Sequence, residues 1–221
     1  AKTIDQFFSD FTAEWIRSNP NLAANTRYFN GDDQNRFERE ITPETRDYRA
    51  SRARLARKGL AELRKFDRSQ MTPTQRISAD LMDWQLDIAS RQEAFLDFSF
   101  PLEQNGGVNV NLPSLLTVSH PLNAEKDASN YVARLGQVAP RMEEAIVDAK
   151  RLIAKKRVPP KFIVHATLVQ MRNFISTPPS GNPFVTAFRE RVSGKIPDAR
   201  REELAAQAEK RSEEHTSELQ S

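Results

Sequence analysis

Apolar positions along the chain recur with the spacing of amphipathic helices. The first helical stretch follows the capping-box pattern Thr3-Ile4-Asp5-Gln6 and ends before Asn19-Pro20, since proline disfavours a helical conformation in the residue before it. Proline marks the later helix starts at Thr42-Pro43, Thr72-Pro73, Val158-Pro159-Pro160 and Pro197-Asp198. The pattern predicts a mostly helical protein in which residues 20–41 form a polar loop.

Three predicted helices carry extended apolar surfaces. One face after Thr72-Pro73-Thr74-Gln75 holds Ile77, Leu81, Trp84, Ile88 and Phe95. The longest face holds Tyr131, Leu135, Val138, Met142, Ile146, Ala149 and Ile153. Pro140 lies within that face and is expected to bend the helix or break it in two. The helix after Pro160 is apolar nearly all round, which predicts a central, buried helix.

Residues 97–123 lack a helical period and predict one long irregular loop. Gly106-Gly107 permits positive φ, and Val108-Asn109-Val110-Asn111-Leu112 alternates as in a short half-buried strand or hairpin. Long loops in compact domains are often functional. We therefore predict that this loop crosses a groove, with Gln104, Asn105, Gly106 and Gly107 as candidate substrate-binding residues. The alternative is a structural loop packed over the helices.

The last eleven residues change the picture of where the natural sequence ends. Residues 211–221, RSEEHTSELQS, equal at every position the in-frame translation of a common short-read sequencing adapter. We expect them to be non-native and the natural sequence to run to about Lys210. Residues 1–210 are then expected to be the N-terminal helical portion of a larger single domain.

Composition and charge exclude several classes of protein. The chain has no Cys, so disulfides and thiolate metal sites are excluded, and no apolar run reaches the roughly 18–20 residues of a membrane span. The most basic stretch, 46–68, includes Tyr48, Leu55 and Leu63 as an inward face. This favours a solvated basic helix over a nucleic-acid site. The first residue is Ala1 rather than Met, which fits a mature or a truncated chain.

Candidate catalytic groups are few. Before residue 211 the histidines are His120 and His165, and neither belongs to the H-E-x-x-H pattern in which two imidazoles one turn apart bind zinc. Each is interpreted as a hydrogen-bonded structural residue, and His215 falls in the adapter-like segment. Carboxylates such as Asp80, Asp83 and Asp87 lie at helical spacing and predict a solvated face. No catalytic residue, metal ligand or cofactor is predicted within residues 1–210.

Several phrases, taken in order, resemble a bacterial family known as domain of unknown function 885. They are Phe11-x-x-Glu14-Trp15-Ile16-x-x-Asn19-Pro20, Asp80-Leu81-x-x-Trp84-Gln85-Leu86, Gln104-Asn105-Gly106-Gly107 with Leu112-Pro113, Tyr131-x-x-Arg134-Leu135 and Val158-Pro159-Pro160-x-Phe162-x-Val164. The resemblance covers essentially residues 5–205. Ala154-Lys155-Lys156-Arg157 departs from the family, whose members often have a glycine there.

The resemblance implies a long all-helical protein exported, after loss of a signal peptide, to the bacterial periplasm or cell envelope. The family's C-terminal H-E-x-x-x-G-H-like motif implies a zinc metallopeptidase with a peptide substrate, and its ligands would lie beyond residue 210. The leading hypothesis is a truncated N-terminal part that supplies scaffold and groove walls without a catalytic centre. A non-catalytic helical binding or scaffold module is the alternative. The chain itself is expected to be inactive and to self-associate through exposed apolar surface.

Overall fold

The computed structural model describes the backbone of residues 2–220 and the side chains of residues 2–213. Most of the adapter-like segment 211–221 therefore lies outside the described side chains, and its origin stays a prediction. The described backbone consists of helices, turns and irregular segments without a strand, which confirms the all-α class.

The helices of the described backbone group into two compact units, one of residues 2–19 with 45–99 and one of residues 20–44 with 100–220. The first, called unit 1, contains α1 (Ile4–Arg17), α4 (Arg46–Leu63) and α5 (Pro73–Arg91). The second, unit 2, contains α2 (Pro20–Thr26), α3 (Gly31–Phe37), α6 (Val108–Ser114), α7 (Glu125–Leu135), α8 (Val138–Ala154), α9 (Lys161–Ile175), α10 (Pro183–Val192) and α11 (Asp198–Gln220). That residues 1–210 belong to one larger domain stays a prediction.

Helix starts in unit 1 follow the predicted side-chain caps with one exception. Both predicted capping boxes form, at Thr3 with Gln6 and at Thr72 with Gln75. The predicted start at Thr42-Pro43 is wrong, because α4 begins after Thr45, whose hydroxyl accepts a hydrogen bond from Tyr48 N. The Thr42 hydroxyl instead accepts a hydrogen bond from Asn21 N at 3.0 Å, and both residues belong to unit 2.

The basic helix α4 makes polar contacts within unit 1. The Arg52 guanidinium lies 3.4 Å from the centre of the Trp15 ring, a cation–π contact, and donates to Trp15 O. Arg57 donates to Ser90 O at 3.2 Å, and Arg64 forms a two-pronged ion pair with Asp83. These arginines thus help to hold unit 1 together, whose core contains Phe7, Phe11, Leu60, Leu63 and Leu86.

One face of α5 is apolar and exposed. Ile77, Leu81 and Trp84 are 62%, 58% and 65% exposed, whereas Ala79 and Leu86 on the opposite side are buried. The predicted face of α5 therefore exists, but in the described structure it points outward.

The prediction of a polar loop over residues 20–41 is wrong in part, because this segment contains α2 and α3. Pro20 opens α2, where its missing N–H is not needed. The long face over 131–153 is interrupted, as expected, between α7 and α8 at 136–137. Pro140 lies in the first turn of α8 rather than at the break, since the first turn tolerates proline.

The α8 C-terminus keeps the turn that the family's glycine would allow. Lys156 has φ of +58°, a left-handed conformation that glycine adopts at little cost. Arg157 N donates to Leu152 O at 2.9 Å and closes the end of the helix. The departure at 154–157 therefore leaves the turn in place, with a lysine in the glycine-like position.

The predicted burial of α9 is wrong. Among its described residues only Thr167 is buried, and Phe162, Leu168 and Val169 are exposed. Met171 and Phe174 pack against the core of unit 2. The helix is apolar on several sides but packs on one.

The predicted strand or hairpin in the loop 97–123 is also wrong. Val108–Ser114 is α6 and Leu115–Ser119 forms a π-turn, closed by a 2.8 Å bond from His120 N to Leu115 O. Val108 and Leu112 are both buried because residues at i and i+4 share a helix face. Alternation over five residues therefore fits a helix as well as a strand.

Candidate functional site

Unit 2 contains a cavity of about 280 Å³ lined by residues of α6, α8, α9 and the start of α10. Apolar side chains form most of its wall, among them Val110, Leu112, Val138, Met142, Met171 and Phe174. None of the described residues that line it is ionisable. An apolar cavity of about 150 Å³ is enough to hold benzene, so this one has room for a larger uncharged group.

Three amide side chains line the same cavity. Asn109 Oδ1 accepts from Glu103 N at 3.1 Å, and Gln170 Nε2 donates to Gln104 O at 3.1 Å. Asn182 caps α10, where its Oδ1 accepts from Phe184 N at 3.0 Å. Asn182 is 1% exposed, and within the described structure its Nδ2 has no hydrogen-bond partner. Ser212, in the adapter-like segment, also lines the cavity.

The predicted site residues form a tight turn beside the cavity. The Glu103 carboxylate accepts from Asn105 N at 3.1 Å and from Gly106 N, and Asn111 Nδ2 donates to Gly106 O at 2.8 Å. Gly107 has φ of −69°, so it is not in the left-handed region, and the same holds for Gly106. The two glycines therefore do not use the positive φ that they permit.

Gly107 is required by close approach instead. A Cβ at Gly107 would overlap Glu103 N and lie 2.8 Å from Glu103 O, whereas at Gly106 it would meet only the Glu103 carboxylate, at 3.0 Å. The turn fixes Asn109, which does line the cavity. The four residues from Gln104 to Gly107 are not themselves among its lining residues, and their role in substrate binding stays a prediction.

Sequence reasoning missed Asn109, Gln170 and Asn182 as site residues. Asn182-Pro183 carries the signal of a helix cap, which it is, but the cap occupies only Oδ1. That Nδ2 lacks a partner depends on the packing of α9 and α10 and has no signature in the sequence.

A second buried polar group in unit 2 surrounds Arg134 and His120. Arg134 is fully buried and donates to Glu40 O at 2.9 Å and to Asn21 Oδ1 at 2.7 Å. Its third contact is with His120 Nδ1 at 3.2 Å, while His120 Nε2 lies 2.9 Å from Asp127 O. A neutral imidazole fits both contacts, with Nδ1 accepting and Nε2–H donating. The interpretation of His120 as a hydrogen-bonded structural residue is confirmed.

The charge state of His120 predicts a pH dependence of stability. Burial, reinforced by the charges of Arg134 and Arg191, lowers the pKa of His120 from 6.5 to about 4. Because the folded pKa lies below the unfolded one, the stabilisation is complete above pH 6.5 and is lost as the pH falls toward 4. We expect the free energy of unfolding to fall by about 2 kcal/mol between pH 8 and pH 5 from this group.

Urea denaturation of the chain at pH 8, 6.5 and 5 measures this loss. The variant His120→Gln has no titrating group at the position and should lose about 2 kcal/mol less over the same interval. An equal loss in both proteins would assign the pH dependence to other groups.

Neither a metal cluster nor a membrane span is found in the described part of the chain. Among these residues, no group of three His, Cys, Asp or Glu side chains is placed to hold a metal ion. No described helix combines the length and hydropathy needed to cross a bilayer.

The fold and the cavity define an all-α protein with an uncharged, mostly apolar cavity that three amide side chains help to line. Residues 26–220 match the model of the family described as "bacterial protein of unknown function (DUF885)", and the chain belongs to this family. The resemblance seen in the sequence is thereby confirmed.

The fold is similar to a solved structure described as "the putative lipoprotein from Colwellia psychrerythraea". The TM-score is 0.75 at 16% sequence identity, and the match covers 96% of this chain and 42% of that chain. This chain thus spans less than half the length of that structure. The search of curated proteins found no match to this chain.

Proposed function

We propose that this chain is the N-terminal portion of a bacterial zinc-peptidase-like protein and supplies scaffold and part of the substrate groove, without a catalytic centre. The observation that carries the proposal is the cavity of unit 2. It is apolar, it is lined by three amide side chains, and a turn tied to α9 through Gln104 and Gln170 lies beside it. Predominantly apolar walls with a few placed polar groups are typical of ligand sites.

The described residues do not form a set of side chains that could bind zinc. His120 has both ring nitrogens engaged with Arg134 and Asp127, and His165 is not joined by two further ligating side chains. No residue here is therefore assigned as a zinc ligand, and no step of peptide hydrolysis is assigned to this chain. In the proposal the chemistry belongs to a part of the parent protein outside these residues.

Purified chain 1–221 is expected to show no zinc-dependent peptide hydrolysis, because it offers substrate contacts but no assigned metal ligands or catalytic base. Turnover of a fluorogenic peptide library with added zinc, with and without a chelator, measures this. Chelator-sensitive turnover would contradict the proposed division between groove and catalytic centre.

The complete coding sequence of the parent gene provides the second test: it should encode a His-Glu helix and a further Glu ligand downstream.

The competing function is a non-catalytic helical binding module, which the same uncharged cavity also favours. A complete parent gene without the His-Glu helix would contradict the peptidase and leave the binding module as the remaining candidate.

The proposal includes a location in the bacterial cell envelope. It is supported by the similarity in fold to the structure described as a "putative lipoprotein". Fractionation of cells that express the full-length parent protein should recover it with the envelope, and recovery with the cytosol would contradict this location.

A further inference from the structure

We infer that the cavity of unit 2 is a specificity pocket for a large, uncharged side chain of a peptide, whose adjoining carbonyl accepts a hydrogen bond from Asn182 Nδ2. The inference rests on the proposed function for the peptide nature of the ligand. It adds the class of side chain that the site selects and the residue that orients it.

The lining of the cavity determines what can enter. A charged side chain would lose its hydration and find no counter-charge, since the described residues around the cavity are apolar or amides. Met142, Met171 and Phe174 form a wall that suits an aromatic or branched aliphatic group, and flexible methionines adapt to either shape. The volume of about 280 Å³ exceeds what a small side chain would fill.

Asn182 supplies the directional contact. Its Oδ1 must face Phe184 N–H, from which it accepts, so the two ends of the amide cannot be exchanged without setting two donors against each other. Nδ2 is therefore the end left without an acceptor, on a residue that is almost fully buried. A buried donor without a partner is destabilising, and a ligand carbonyl would relieve it.

The other two amides are less buried than Asn182, since Asn109 is half-buried and Gln170 is exposed, and each has one end bonded to the protein. Asn109 Oδ1 is bonded to Glu103 N, and Gln170 Nε2 to Gln104 O. They keep the turn against α9 at the edge of the cavity. Asn182 is thus the amide in the described wall that has a buried donor available for a ligand.

The four methionines of the chain provide reporters for a direct test. Met142 and Met171 line the cavity, whereas Met71 and Met82 lie in unit 1 and serve as internal controls. With methyl-labelled methionine, titration with N-acetyl-phenylalaninamide should shift the NMR signals of Met142 and Met171 and leave those of the other two in place. N-acetyl-lysinamide at the same concentrations should shift none of them.

Two variants separate the apolar contact from the hydrogen bond. Asn182→Ser keeps a capping oxygen for α10 but loses the amide donor. This variant should bind the phenylalanine probe about tenfold more weakly than the parent. Its affinity for toluene, which has no carbonyl, should be unchanged. Asn30→Ser makes the same substitution at the exposed N-cap position of α3, outside the cavity lining, and should bind both probes as the parent does. Val110→Phe fills the cavity and should abolish binding of both.

Equal shifts from the lysine and phenylalanine probes would overturn the selection for uncharged groups. Unchanged affinity of Asn182→Ser for the phenylalanine probe would overturn the role of Nδ2, and no shift of Met142 or Met171 by any probe would remove the pocket altogether. The proposed function is tested separately, by the parent gene and by peptide turnover, so the two can fail independently.

Discussion

Replacement of Arg134 by Met is expected to lower the free energy of unfolding of unit 2 by about 4 kcal/mol. Methionine has a comparable reach but donates no hydrogen bonds. Glu40 O, Asn21 Oδ1 and His120 Nδ1 would each lose the donor that the guanidinium now supplies. An acceptor deprived of its partner in a buried site costs about 1–3 kcal/mol.

Urea denaturation followed by far-UV circular dichroism measures the loss. Arg134→Lys keeps the charge but not the planar fork that reaches three acceptors, so its loss should be intermediate. Arg36→Met is the matched control, because Arg36 is 53% exposed and its carboxylate partners lie at 3.9 and 4.0 Å. It should change stability by less than about 1 kcal/mol. A similarly small effect of Arg134→Met would mean that unit 2 does not depend on this group.

The substitution Gly107→Ala is expected to destabilise unit 2 by about 3 kcal/mol, although alanine suits the backbone conformation at that position. The added methyl group would overlap the backbone of Glu103, which cannot turn aside as a side chain can. The turn would have to open, and with it the bond from Glu103 N to Asn109 Oδ1.

Gly106→Ala provides the comparison one residue earlier. Its methyl group would meet only the side-chain carboxylate of Glu103, at 3.0 Å, which can shift by a few tenths of an ångström, so a change of less than about 1 kcal/mol is expected. Thermal unfolding of the two variants measures the difference. Equal effects would show that general glycine flexibility, rather than the close approach of Gly107 to Glu103, governs the turn.

The local features of the fold could be predicted because they depend on residues close in sequence. The boxes at Thr3 and Thr72 form since cap and partner are three residues apart. The start of α4 could not be located in this way. Thr42 and Thr45 are both good caps, and a bond from Asn21, far away in sequence, decides between them.

The apolar pattern predicted helices more reliably than it predicted burial. Phe162 and Trp84 lie on helices that the pattern found, yet both are well exposed. Periodicity reveals that a helix has an apolar face but not which part of the protein covers it. The alternation from Val108 to Leu112 was ambiguous for a related reason, because five residues do not separate a period of two from one of 3.6.

The candidate site could be located only in part. The glycines and Gln104 directed attention to a turn that lies beside the cavity, and Gln104 contacts α9 through its carbonyl. The cavity itself joins Asn109 to Gln170 and Asn182, which are far apart in sequence. Their convergence results from the packing of α6, α9 and α10, and no local motif encodes it.

The placement of the tryptophans gives the chain a built-in spectroscopic label. Trp15, under Arg52, and Trp84, on the exposed face of α5, are the two tryptophans of the sequence, and both belong to unit 1. Indole emission therefore reports the melting of unit 1, whereas circular dichroism sums both units. If the Arg134→Met substitution shifts the unfolding midpoint measured by circular dichroism but not the midpoint measured by indole emission, the chain unfolds as two separate cooperative units. If both midpoints shift together, it unfolds as one.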